Sequence, residues 1–135
     1  VTENIQTEGL GIFDLTVETN LFKRYNGMVL GEADGMTITG FRSQFSAVYG
    51  DNSSFAFIKV ERGIGINKAS KLEGVRRKNF IGTHLIGPIL PLNPEFCEYI
   101  LRLAGSSATA AHKEAALAAY EQRLREFRDP KVKFD

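Results

Sequence analysis

His84 is the strongest candidate for a catalytic side chain in this sequence. It lies near the end of an apolar run that predicts a buried strand, and α/β enzymes collect catalytic groups at the carboxyl ends of such strands. Histidine is the side chain best suited to exchanging protons near neutral pH. The alternative is a structural histidine that forms a hydrogen bond with a neighbour. The local sequence leaves both interpretations open.

The single cysteine, Cys97, is a poor candidate for a nucleophile. It is predicted to lie inside a helix, without the sharp strand-to-helix turn that exposes a nucleophile, so we expect a small buried apolar residue. With only His84 and His112 beside it, the chain has too few ligands for a zinc site of the usual Cys/His type. The sequence therefore predicts no metal and no cofactor, and His112 is given no role.

Two further segments were candidates for binding phosphate or an acidic partner. Gly63-Ile64-Gly65 is too short for a phosphate-binding loop and does not open a helix, so it predicts a flexible surface loop. A run of basic residues could meet an acidic partner, although such runs are more often a solvated face. Its members are Lys68, Lys71, Arg76, Arg77 and Lys78.

Composition and charge exclude several classes of protein. The chain has 135 residues, of which 43% are apolar and 24% charged, which predicts a single core. The chain has 17 Lys and Arg and 16 Asp and Glu, so its net charge does not favour binding to nucleic acid or to an anionic membrane. No apolar run has the length of a membrane span, and no signal peptide is evident, so we expect a cytoplasmic protein. Val1 in place of an initiator methionine suggests a processed protein or a fragment.

The first half of the chain is predicted to be rich in strands. Short apolar runs are separated by glycine, asparagine and aspartate over residues 10–62. The predicted strands cover 10–17, 26–32, 36–41, 46–49 and 55–61. Ala33-Asp34-Gly35 predicts a tight hairpin between the second and third strands.

A loop and one more strand are predicted to follow. Residues 63–74 lack periodicity and predict a surface loop, and residues 78–86 predict a buried strand that ends at Gly87-Pro88. Glycine normally weakens the middle of a strand, so Gly82 indicates that another element approaches closely there.

Two helices are predicted at the C-terminal end. Asn93-Pro94-Glu95 is typical of a helix start in which asparagine caps and proline takes the first position, and this helix stops at Gly105. A second, alanine-rich helix is predicted from Ser106 or Ser107 to about Phe127. Its apolar stripe consists of Leu117, Tyr120, Leu124 and Phe127. The remainder, 131–135, predicts a loose tail.

Residues 73–94, EGVRRKNFIGTHLIGPILPLNP, resemble the C-terminal catalytic motif of class-I glutamine amidotransferases of the cobyric acid synthase type. They are most similar to the glutaminase subunits of bacterial lipid II amidation, where the motif is approximately EGVRYKNVxGTYLHGPxLPxNP. Two earlier segments fit the same order. Residues 8–14 are similar to the family's G-L-G-L-x-D segment, and residues 37–41 to its strand that ends in G-F or G-Y. The resemblance spans roughly residues 8–104.

The resemblance implies a flavodoxin-like α/β glutaminase in cell-wall or cobalamin biosynthesis. In this family a cysteine on a nucleophile elbow attacks the amide of glutamine, a histidine acts as base, and ammonia passes to a synthetase subunit or domain. The chain would be the C-terminal part of that sheet, with a strand-rich first half and two C-terminal helices. Its parts would be 8–104, the C-terminal helix 105–128 and the tail 129–135, within one domain or fragment 1–135.

Several positions depart from the family motif. The nucleophile elbow would lie upstream of Glu8, and residues 1–7 do not contain it. The family's base falls on Ile86, while His84 takes the position of its tyrosine and Gln44 that of a second histidine. On the predicted strand, positions two apart face the same side, so His84 is expected to face the side that Ile86 faces and could serve as a displaced base if the loop with the nucleophile were shifted to match. The positions Gly82, Gly87 and Pro88 match the motif.

These departures predict a catalytically degenerate amidotransferase domain, or one that needs the upstream nucleophile segment. On either interpretation the chain alone is expected to be inactive. A half domain also leaves strand edges open, which favours a companion segment or a homo-oligomer. The alternative is a non-catalytic binding module in which the alanine-rich helix docks a partner.

Overall fold

The computed structural model describes residues 5–134 and has a mixed α/β architecture. Its strands are β1 Thr16–Thr19, β2 Tyr25–Ala33, β3 Met36–Gln44, β4 Ser46–Tyr49, β5 Ile58–Arg62, β6 Leu72–Glu73, β7 Val75–Arg77 and β8 Phe80–Gly82. Its helices are α1 Ile89–Leu92, α2 Pro94–Leu103 and α3 Lys113–Arg128. The predicted order of a strand-rich first half and C-terminal helices is therefore confirmed.

The main sheet has the strand order β3-β2-β5-β6. Its centre is the hairpin of β2 and β3, in which nine residue pairs run from Tyr25 opposite Gln44 to Ala33 opposite Met36. The predicted turn is confirmed, because Asp34 and Gly35 both have positive φ, at 50° and 78°. The pairs β1-β4 and β7-β8 form two further small sheets.

Every strand pairing in the described part of the chain is antiparallel. A flavodoxin-like sheet is parallel and needs long crossover connections, whereas β2 and β3 are joined by two residues. Residues 5–134 therefore contain none of the parallel part that the resemblance implies.

One apolar core lies between the main sheet and the helices. Val29, Ile38 and Ile58 are fully buried in it. Phe57, which directly precedes β5, packs against Phe96 of α2 with ring centroids 5.5 Å apart. The predicted apolar stripe of α3 is confirmed, because its four residues are buried or half-buried. At its centre, the hydroxyl of Tyr120 donates to the carbonyl of Thr37 over 2.6 Å.

Two predicted strands are much shorter than expected. The strand predicted over 10–17 is confined to β1, and residues 10–15 form a largely exposed loop beside it. The strand predicted over 78–86 is confined to β8, because the next residues form hydrogen bonds with a buried carboxylate instead of a neighbouring strand. The predicted loop over 63–74 contains the short strand β6, which pairs with β5.

The second C-terminal helix also begins later than predicted. Gly105 ends α2 with a φ of 80°, and α3 begins only at Lys113. Between them, side-chain oxygens of Ser106 and Glu98 accept the amides of Ala108 and Ala110, which replaces helical hydrogen bonds. The predicted helix over 105–128 is therefore wrong for its first two turns.

The C-terminal tail is held by the sheet as far as Phe134, so the prediction of a loose tail is wrong there; Asp135 lies outside the described residues. The guanidinium of Arg62 in β5 donates to the carbonyls of Phe127, Asp129 (2.8 Å) and Val132 (2.7 Å). The same group stacks 4.2 Å from the ring centroid of Phe134. The amide of Met28 in β2 donates to the carbonyl of Phe134 over 2.9 Å. The tail thus accepts the backbone hydrogen bond of Met28, which lies beyond the residues of β2 that pair with β5.

Replacing Arg62 with methionine is expected to release this tail. Loss of the charged hydrogen bonds and of the cation-π contact is expected to lower the free energy of unfolding by about 1–3 kcal/mol. Urea denaturation measures the loss, and hydrogen exchange at the amide of Met28 is expected to quicken. Arg125→Met is the matched control, because within residues 5–134 the Arg125 side chain donates just to the exposed side chain of Gln122. Equal stability of the two variants would contradict the prediction.

Candidate functional site

A cavity of about 650 Å³ opens beside the end of β8. One wall is the loop 8–15, and the opposite wall is formed by Gly74-Val75 and by residues 82–84. Val17, Val48 and Ile66 add apolar surface. His84 is the imidazole in this lining, so the structure places the strongest sequence candidate at a cavity.

The buried carboxylate of Glu73 holds the wall that carries His84. Its Oε2 accepts a hydrogen bond from Thr83 Oγ1 over 2.6 Å, and its Oε1 accepts one from the backbone N–H of His84 over 2.9 Å. Glu73 Oε1 also lies 3.7 Å from His84 Nδ1, and 30% of the His84 side chain is exposed. A carboxylate and an imidazole therefore face each other at the edge of the cavity.

Gly74 allows Glu73 to reach this position. Its φ of +69° favours glycine, and a Cβ atom there would lie only 2.6 Å from the carbonyl oxygen of Gly82. The chain can therefore turn sharply between β6 and β7 while remaining against the end of β8. This turn brings Glu73 and His84 together across 11 residues of sequence.

A second buried charge, Arg42 on β3, compensates Glu73. Burial lowers the pKa of Arg42, and the negative charge of Glu73 opposes that change. The Arg42 guanidinium donates to the carbonyls of Ile64 (3.0 Å) and Gly65. Gly65 and Ile66 are buried, so this part of the predicted surface loop is packed inside the protein. Neither charged residue had a predicted role, although Glu73 is the first residue of the motif that resembles the amidotransferases.

Ile86, at the family's base position, does not line the cavity. It is 46% exposed and its backbone N–H donates to the carbonyl of Phe41 over 2.7 Å, in an isolated bridge to β3. The expectation that His84 and Ile86 share one face is wrong, because the strand ends at Gly82. The backbone N–H of His84 donates to the carboxylate of Glu73, whereas that of Ile86 donates to Phe41 in β3.

The other predicted positions are divided between the cavity and the rest of the chain. Gly82 lines the cavity, and a Cβ there would lie 3.1 Å from Val75 Cγ2, a close approach by a side chain. Gln44 ends β3, where its Nε2 donates to the carbonyl of Ser46 over 2.6 Å. Gly87 and Pro88 are exposed residues that lead into α1. None of these last three lines the cavity.

Cys97 and His112 also lie outside the cavity lining. Cys97 is half-buried within α2, and His112 is exposed at the residue that precedes α3. The chain's one cysteine is therefore not placed to react with a molecule in the cavity.

The basic run does not form a single free patch. Arg76 pairs with Asp34 and Tyr99, Lys71 Nζ donates to the carbonyl of Gly63 over 2.7 Å, and Lys68 lies over the ring of Tyr25. These cations are thus directed toward groups of the chain itself. Within residues 5–134, no helix has the length and hydropathy of a membrane span.

Comparison with known proteins gives one informative similarity. No protein-family model matches the sequence. Over 103 residues, the chain is 37% identical to the lipid II isoglutaminyl synthase (glutamine-hydrolyzing) subunit GatD of Staphylococcus aureus strain N315. The match covers 76% of this chain and 41% of that protein, so the chain spans less than half the length of its relative. This similarity supports a glutamine amidotransferase-like relationship for the chain.

Proposed function

We propose that residues 8–104 are the C-terminal part of a glutaminase domain of the cobyric acid synthase type. The domain hydrolyses glutamine only when a nucleophile-bearing segment completes the cavity, and it passes the ammonia to a synthetase subunit or domain. One observation carries this proposal: the two halves of the family-like motif, at Glu73-Gly74 and at Gly82–His84, meet at the cavity wall.

The chemistry of glutamine hydrolysis explains why a further segment is needed. A thiol at its ordinary pKa is only slightly ionised, so an adjacent imidazole must generate the thiolate and then protonate the departing ammonia. His84 supplies an imidazole at the cavity, but Cys97 lies elsewhere. An isoleucine cannot accept a proton, so Ile86 does not replace the family's histidine.

The rival function, a docking module built on the alanine-rich helix, is less well supported. Its docking surface would be the apolar stripe of α3, and that stripe packs against the chain's own sheet and α2. Tyr120, at the centre of the stripe, is buried and bonded to β3. The face that remains outside is mostly alanine and charged residues.

The purified 135-residue chain is expected to release no glutamate from glutamine above a buffer blank, because its cavity has no thiol. Enzyme-coupled detection of glutamate and ammonia makes the measurement. Cys97→Ala is the control for a hidden role of the cysteine. Activity in the chain that disappears in Cys97→Ala would contradict this prediction.

The complete product of the gene provides the positive test. We expect it to release glutamate, to lose that activity in His84→Ala, and to retain it in Ile86→Ala. Because both substitutions shorten a side chain of the same segment, circular dichroism melts must show that both variants fold. A folded wild-type product that releases no glutamate would overturn the proposed function and favour the non-catalytic alternative.

A further inference from the structure

We infer that Glu73 is the positioning residue of the cavity: it directs Nδ1 of His84 inward, so that Nε2 faces the cavity as the proton-accepting nitrogen. The inference deepens the proposed function and rests on it for its catalytic meaning. The geometry itself can be tested without glutamine.

The two ring nitrogens of His84 have different surroundings. Nδ1 is buried and has no hydrogen-bond partner among the described residues, and its nearest acidic oxygen is Glu73 Oε1 at 3.7 Å. Nε2 is not among the buried unpaired atoms, and His84 is one of the residues that line the cavity. We therefore assign the buried Nδ1 to the protein side of the ring and Nε2 to the cavity side.

The carboxylate determines which nitrogen carries the proton in the neutral ring. An unprotonated Nδ1 would direct a lone pair at the lone pairs of Glu73 Oε1, whereas an Nδ1–H can donate to that oxygen. The separation of 3.7 Å is longer than a hydrogen bond, so the carboxylate acts on the ring through its charge at this distance. Catalytic hydrogen bonds are often long in unliganded proteins and shorten when substrate binds.

Glu73 is itself fixed in place. Thr83 Oγ1 holds Oε2, and the backbone N–H of His84 holds Oε1, so the carboxylate cannot turn away from the ring. The charge of Arg42 offsets the cost of burying the carboxylate. Side chains that orient a histidine in this way act through the second ring nitrogen, without touching the reacting atoms.

The proton then follows a balanced path. Nε2 takes the proton from the cysteine thiol of the completing segment, which leaves a thiolate and an imidazolium. The thiolate forms a bond to the amide carbon of glutamine, the carbon–nitrogen bond breaks, and the imidazolium returns the same proton to the departing nitrogen as ammonia. Glu73 stabilises the imidazolium in between.

Nitrogen-15 spectra of the 135-residue chain with labelled histidines test the geometry. In the neutral ring, identified by its nitrogen-15 shifts, we expect His84 to be mainly the Nδ1–H tautomer. The exposed His112, which has no carboxylate partner among the ion pairs of the described residues, is the internal reference. A His84 spectrum dominated by the Nε2–H tautomer would overturn the inference.

Substitutions at Glu73 make the test specific. The Nδ1–H fraction is expected to fall in Glu73→Gln, which keeps an acceptor but loses the charge, and to fall further in Glu73→Leu, which has no acceptor. Tyr120→Phe is the matched control, because it removes one buried hydrogen bond far from the cavity and should leave the tautomer unchanged. If Glu73→Leu does not fold, Glu73→Gln decides alone. An unchanged ratio in the folded Glu73 variants contradicts the inference.

Kinetics of the complete gene product separate this inference from the proposed function. Glu73→Leu, or Glu73→Gln if the former does not fold, is expected to lower kcat at least ~10-fold with little change in KM, because the base is misoriented while the cavity remains. Tyr120→Phe is expected to retain kcat. Wild-type activity with Glu73 variants of unchanged kcat would contradict the inference alone. Absence of glutamate release by the wild type would contradict the proposed function, while the tautomer result would still stand.

Discussion

Replacing Asn93 with alanine is expected to lower the free energy of unfolding by about 3–5 kcal/mol. Asn93 is almost fully buried and pairs with the backbone of Thr39 in both directions. Its Oδ1 accepts from the Thr39 N–H and its Nδ2 donates to the Thr39 carbonyl, each over 2.8 Å. Nδ2 also donates to the carbonyl of Ile89 over 2.8 Å. The variant would leave the two buried backbone groups of Thr39 unpaired, at about 1–3 kcal/mol each, and the part-buried carbonyl of Ile89 at a smaller cost.

The position of β3 in the sheet explains the size of this effect. β3 is an edge strand, so the backbone groups of Thr39 that point away from β2 have no neighbouring strand. The side-chain amide of Asn93 takes the place of that strand. Urea denaturation measures the loss, and Thr39→Val is the matched control, because it removes only the 3.2 Å contact from Thr39 Oγ1 to the same amide. A loss no larger in Asn93→Ala than in Thr39→Val would refute this account.

Gly74→Ala is expected to cost about 2–5 kcal/mol. A residue with a Cβ pays about 1–2 kcal/mol for the left-handed φ of +69°. The new Cβ would also lie 2.6 Å from the backbone carbonyl oxygen of Gly82, and relieving that contact must move β7 away from β8, at about 1–3 kcal/mol. The same movement would separate Glu73 from His84.

Substitutions at Gly82, the residue that a Cβ at Gly74 would contact, provide the comparison. A Cβ at Gly82 would meet Val75 Cγ2 at 3.1 Å, and that side chain can rotate away. We expect Gly82→Ala to cost no more than about 1 kcal/mol and the bulkier Gly82→Val about 1–3 kcal/mol. Thermal melts of the three variants rank them. If Gly82→Ala is as unstable as Gly74→Ala, the backbone contact at Gly74 is not the cause.

Local signals allowed much of the fold to be predicted. The hairpin of β2 and β3 follows from Asp34-Gly35, since the turn chemistry and the flanking apolar runs are all within one segment. The start of α2 at Pro94 and the apolar stripe of α3 were likewise correct, because proline at a first helical position and helical periodicity are local properties.

The errors arose where a distant partner overrode a local signal. Asn93 occupies the predicted capping position, but its side chain forms no capping bond and instead binds Thr39, 54 residues away. His84 does not lie in a strand as predicted, because its backbone N–H donates to the side chain of Glu73, 11 residues away. The tail is fixed by Arg62, which is 70 residues from Val132. Sequence periodicity carries no information about such pairs.

In the candidate site, too, local signals were predictable and contacts between distant residues were not. The sequence identified His84 and Gly82, both of which line the cavity, because each is unusual in an apolar run. Glu73 and Arg42 have no predicted role, since charged residues are ordinarily exposed and nothing in the local sequence shows that both are buried in the folded chain. The error at Ile86 followed directly from the error in the length of β8.

The hairpin of β2 and β3 is expected to form early during folding. Its nine pairs form within residues 25–44, so little loop entropy is lost before they become favourable. The contacts of Tyr120 and Asn93 with β3 close 83 and 54 residues and must follow later. The cavity wall, which depends on the two- and three-residue strands β6 and β8, is held by few ladder bonds and opens at lower cost than the hairpin. We therefore expect a ligand to reach the cavity through a local opening while the core of the sheet stays folded.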